Sequence, residues 1–148
     1  MPVEVVEMTS SWREPAQRLI ESRDAGWLSL WALLDLAGHA AIRLSLSAPL
    51  GSSVDLTFAA LDLGEAREEL EWARPSLRSD SSHHPLPALY PDDDTADARR
   101  VLEELVEEAA RRLLAAGGDN CEQDELSTLG RAFRRIVSAQ DEFRRCRA

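Results

Sequence analysis

Apolar residues recur every three or four positions through most of this chain. After Asp24 the series runs Trp27, Leu30, Leu34, Ala37, Ala41, Leu44 and Ala48, widened by Leu33, and Pro49 and Gly51 then interrupt it. That spacing puts the series on one face of an α-helix. The stretch Ile42-Arg43-Leu44-Ser45-Leu46-Ser47 also alternates like a strand, but the helical series passes through it unbroken, so helix is the reading adopted. A second helix fits from about Ser53 to Leu77, on Leu56, Ala60, Leu63, Ala66, Leu70, Ala73 and Leu77, with Pro75 set to break its last turn. A third follows Asp92-Asp93-Asp94-Thr95, on Ala98, Leu102, Leu105, Ala109 and Leu113, and Gly117-Gly118 stop it. The fourth opens near Asn120 and Gln123 and carries Leu126, Leu129, Phe133, Ile136, Gln140 and Phe143.

Ahead of these, Ser11-Trp12-Arg13-Glu14 reads as a capping box leading into Ala16, Leu19 and Ile20. This predicts a further helical segment, either kinked into the first long helix or folded against it. Residues 1–10 are expected to be a tail or a short edge strand. The predicted fold is all-α: one domain over residues 11–148, an up-down-up-down four-helix bundle with an additional N-terminal helical segment. Short turns at 49–52 and 117–120 make two helical hairpins, joined by a longer connection at 78–91.

In that topology Trp27, Trp31 and Trp72 fall at one end of the bundle. The connection leaves from the same end with Arg78, His83, His84 and Tyr90, and Asp92 to Asp94 come level with Arg144, Arg145 and Arg147. That end is the expected location of a site. A small-molecule pocket there would be lined by Trp27, Trp31, Trp72, His83, His84 and Tyr90. Core packing is the plainer role for aromatic residues at helical spacing, and helix-dipole compensation the plainer role for the charged runs.

Composition narrows the functional classes. The chain has 148 residues and a net charge of −10, which opposes nonspecific binding to nucleic acid or to an anionic membrane face. No apolar run approaches the ~18 residues of a membrane span. All seventeen basic residues are Arg, a bias that suggests a GC-rich, bacterial genome. Met1 to Met8 carries Glu4 and Glu7 and has no secretory pattern. Cys121 and Cys146, on one helix, would be about 37 Å apart, too far to pair. A reducing cytoplasm is therefore expected. No metal-ligand spacing and no nucleotide or nucleophile-elbow motif occurs, so no metal and no cofactor are expected.

One pair invites a specific chemistry. Arg78 and His83 stand as Arg-x4-His, which resembles the signature of the HEPN ribonucleases, a family of helical bundles. The resemblance covers six positions. It implies that Arg78 would stabilise charge developing on an RNA phosphodiester and that His83 would act in metal-independent acid–base catalysis.

Charge patterning points to another class. Residues 131–148 hold six Arg against Asp141 and Glu142, whereas Asp92 to Glu108 holds eight acids against Arg99 and Arg100. An acidic bundle with a basic terminal stripe suits a protein partner or a second copy of itself. The N-terminal segment, through Trp12, Leu19 and Ile20, is a candidate docking helix. The expected role is a noncatalytic interaction or regulatory module that forms homodimers, with the ribonuclease and small-molecule readings as alternatives.

Overall fold

A computed structural model describes residues 13–22, 26–81, 95–118 and 122–147. Among them the chain forms α1 (Arg13–Glu21), α2 (Trp27–Ser47), α3 (Leu50–Ala73), α4 (Ser76–Ser81), α5 (Thr95–Gly118) and α6 (Gln123–Arg147), and no strand. The protein is an all-α bundle of four long helices with an additional N-terminal helix. Residues 1–10, Trp12, His83, His84, Tyr90, Asp92 to Asp94 and Cys121 lie outside the described residues.

The helix ends follow local chemistry. Only Ala48 and Pro49 separate α2 from α3, and Ser53 N–H donates to the Pro49 carbonyl at 2.7 Å. Proline suits a helix start, where its missing N–H has no partner to lose. At the other end of α3, Pro75 holds Arg74 in an extended conformation (φ −136°, ψ 85°), and the chain restarts as the short α4. The strand-like alternation at 42–47 is helical. There Ser45 and Ser47 turn their hydroxyls back onto the Ile42 and Leu44 carbonyls, so neither competes for a strand partner.

Every residue of the first core series from Trp27 to Leu44 is buried, as are Leu56, Ala60, Leu63, Ala66, Leu70 and the α5 series. At ~1.5–3 kcal/mol for each large side chain, this burial is the main stabilising term. Helix α2 is covered over most of its circumference, with Leu33, Leu34, Asp35, Leu36 and Ala37 buried in succession. It packs on α1, α3, α4 and α5, whereas α6 packs on α3 and α5.

The direction of the helices departs from the up-down-up-down expectation. Trp31 pairs with Glu71 and Asp35 with Arg67, so α2 and α3 are antiparallel. Arg74 meets Glu125, Arg131 meets Glu69 and Cys146 meets Ser52, so α3 and α6 are antiparallel as well. Arg99 reaches the Cys146 carbonyl, and Gly117 lies beside Leu126, so α5 and α6 are also antiparallel. The order is therefore up-down-down-up, with α3 and α5 parallel and diagonal. Residues 82–94 consequently join opposite ends of the bundle. This order sets the acids of α3 beside Arg131 and Arg135 of α6, ion pairs that the alternating order would not form.

Helix α1 is a separate element packed on α5 and α2, with Ala16 fully buried. Its C-terminal carbonyls are capped from α5. The buried Arg112 guanidinium donates to the carbonyls of Leu19 (2.7 Å), Ile20 (3.4 Å) and Ser22 (2.8 Å), to Ser29 Oγ on α2 (2.7 Å) and to Glu108 (3.1 Å). One cation thus gathers the carbonyl acceptors at the end of α1.

Candidate functional site

With this topology the two clusters expected to share one end separate. Trp27, Trp31, Trp72, Arg74 and Arg78 lie near the α6 start and Glu125. Arg144, Arg145 and Cys146 lie at the opposite end, beside Ser52 and Arg99.

The Trp end is held by an ionic network between α2 and α3. Arg67 Nη1 donates to Asp35 Oδ1 at 2.5 Å, and its Nε lies 3.8 Å from Glu71 Oε1. Trp31 Nε1 donates to the same Glu71 at 2.9 Å, and Arg78 approaches its other oxygen at 3.3 Å. His39 donates from Nδ1 to the Asp35 carbonyl at 2.8 Å. The Arg74 guanidinium lies 3.9 Å above the centre of the buried Trp27 ring. Trp27 and Trp31 are thus tied into the α2–α3 contact. Trp72 points outward, 83% exposed, and lines an open cleft of about 400 Å³ with Glu68, Glu71, Pro75 and Arg78. The three indoles do not share one cavity wall. A sequence signal for this exists: Trp72 falls two residues after core Leu70, out of phase with the buried series.

Of the Arg-x4-His pair, Arg78 sits on α4 in an ion pair with Glu71, and His83 lies outside the described residues. Leu19 and Ile20 are half-buried against the core, and their companion Trp12 lies outside the described residues. Among the described residues no group of three or more His, Cys, Asp or Glu is arranged to hold a metal, and no helix is long and apolar enough to cross a membrane.

Charge is largely neutralised within the bundle. Helix α3 has six acids against Arg67. Arg131 of α6 pairs with Glu69 at 3.0 Å, and Arg135 with Glu65 at 2.8 Å and Asp62 at 3.6 Å. Arg144 and Arg145 pair with Asp141 and Glu142 on their own helix. The basic stripe therefore serves first as an internal complement to α3.

At the far end, burial pushes the Glu142 carboxyl up, helped by Asp55 and Asp62 and opposed by Arg145. Burial likewise raises the Cys146 thiol, reinforced by Asp55 and opposed by Arg99. Cys146 borders a cavity of about 290 Å³ with Leu56, Arg99, Leu102 and Phe143. A raised thiol is a poor nucleophile at neutral pH.

Among the described residues a cluster of exposed side chains is apolar. On α3, Leu50, Val54, Phe58 and Leu61 recur at steps of four, four and three on the face away from the core, and Ile42 and Leu46 lie level with them on α2. These six side chains are between 46% and 82% exposed. The outer seam of α3 continues as Glu65, Glu68 and Trp72. The core series read from the sequence obscured this second series, which has the same spacing in another phase. The chain matches no protein-family model, no curated protein and no solved structure.

Proposed function

We propose that this protein is a noncatalytic helical interaction module that associates with itself and offers acidic faces to a protein partner. The observation that carries this reading is the exposed apolar seam at the turn end of the α2–α3 hairpin. Large clustered apolar side chains at a surface mark a contact site, whereas single exposed ones are ordinary. The acidic excess, a net charge of −10 over the chain, supports a selective partner of opposite charge. At the Trp end Trp31, Asp35, Arg67 and Glu71 bind one another, while Arg67 Nε is buried without a hydrogen bond, and this internal pairing suits a structural clamp better than a reacting centre. We assign the protein to the cytoplasm, because the spacing of its two cysteines offers no bridge within the chain.

Light scattering coupled to size exclusion over a range of loading concentrations tests this reading. The expected result is a rise from the monomer mass of 16.4 kDa towards twice that value. A single monomer mass at every concentration, up to about 1 mM, would remove its main support.

A further inference from the structure

The apolar seam runs about 16 Å along α3 from Leu50 to Leu61, at 1.5 Å per residue. It stops abruptly, because the next positions on the same face are Glu65 and Glu68. With roughly 100 Å² offered by each of its six large side chains, the seam and its α2 flank supply on the order of 600 Å². That is the upper range for a patch on a monomer and approaches the ~800 Å² each partner buries in a standard interface.

We propose that a second copy of this chain covers this face, with α3 packed antiparallel against α3 about a two-fold axis near position 56. This inference rests on the self-association reading above and specifies its interface. Antiparallel packing about that point brings Val54 level with Phe58 of the second copy and Leu50 level with its Leu61. Each apolar residue of the seam then meets another, as a closed two-fold interface requires.

Charge selects the direction. Parallel packing would set Glu68 beside its own counterpart, a like-charge contact in a partly desolvated seam, and would also bring together the two copies of Glu65, each held by its own Arg135. The antiparallel arrangement carries both acids past the partner's Ala48–Pro49 turn, where no acid of its α3 lies level with them. Ile42 and Leu46, 50% and 67% exposed, flank the contact from α2 and widen it. The other hairpin has no comparable face. Its outer positions on α5 include Arg100, Glu104, Glu107 and Arg111, all exposed.

The test uses the full chain. Phe58→Glu should weaken dimerisation by about 100-fold, as expected for removal of a central aromatic anchor. Because Phe58 is 53% exposed, helicity and melting midpoint of the monomer should be retained. Independently, Val54→Cys and Phe58→Cys chains are mixed and oxidised, with the wild type as the control for its own two thiols. The mixed disulfide should exceed the two homodisulfides taken together, which random pairing would only equal. If the wild type dimerises but Phe58→Glu dimerises equally well and no mixed disulfide forms, this interface is wrong while self-association stands. Predominant homodisulfides would overturn the antiparallel arrangement. A wild type that stays monomeric to about 1 mM would overturn both.

Discussion

The two hairpins of this bundle bury similar apolar series yet present opposite exteriors. The α2–α3 pair keeps large aliphatic and aromatic side chains on its outer face near the turn, while the α5–α6 pair exposes Arg100, Glu104, Glu107 and Arg111 on α5 and Arg131, Arg134 and Arg135 on α6. Leu114, Leu126 and Val137 are exposed on the second pair, but charged positions intervene, and Leu126 and Val137 are about 16 Å apart along α6. Burial against the core explains one apolar face per helix. A second apolar face on α3 has no such explanation among the described residues, and that difference is what separates a supporting hairpin from a contacting one.

The contrast extends to how each hairpin is fastened. On α5 a single buried guanidinium gathers acceptors from two other helices and Glu108, so Arg112→Ala should be the most damaging of these changes. It leaves the α1 carbonyls and Ser29 without their cation, while Glu108 keeps Arg111, at about 2–4 kcal/mol. Denaturant unfolding measures the loss, and limited proteolysis should show α1 released before the four long helices. On the first hairpin, Asp35→Ala strands Arg67 beside Glu71. A loss of about 1–3 kcal/mol in chemical denaturation is expected, smaller because Glu71 remains as a partner.

Smaller effects separate the two exteriors more finely. Gly130 lies within α6, and a Cβ built there meets nothing within 4 Å. Gly130→Ala should therefore stabilise the fold by about 0.5–1 kcal/mol while leaving association unchanged, read by melting midpoint and light scattering together. A loss of dimer in this variant would place the contact on the wrong hairpin.

The smallest effect is pH-dependent. The folded protein holds the Glu142 proton at pH values where the unfolded chain has released it. Stability from this group is therefore present at low pH and lost as pH rises through its raised value. Glu142→Gln removes that dependence. Its melting midpoint should improve relative to the wild type on going from pH 4 to pH 7, and a constant difference would contradict the assignment.

Helix positions were legible in the sequence because spacing and punctuation agreed. Pro49, Pro75 and Gly117-Gly118 mark real ends, and the core series of α2 and α5 are buried throughout. Helix direction was not legible from connection length, since thirteen residues between Ser81 and Thr95 can reach up to about 45 Å, as much as the bundle's length requires. The clue lay in charge instead. Asp62, Glu65 and Glu69 have the helical spacing of Arg131 and Arg135, so the two stripes can pair if α3 and α6 are adjacent, and they do so antiparallel. Read alone, the Arg stripe looked like a surface for another protein. The role of Arg112 was half visible, as the partner of Glu108 one turn away. Its contacts to α1 arise only from the tertiary packing.

Amide hydrogen exchange of the full chain at low and high protein concentration tests the central distinction most directly, since it compares both hairpins in one sample. Protection should rise with concentration in peptides covering residues 42–61 and stay unchanged across 99–114. Equal protection at both concentrations, or a rise confined to the α5–α6 hairpin, would contradict the assignment of the contacting face to α2 and α3.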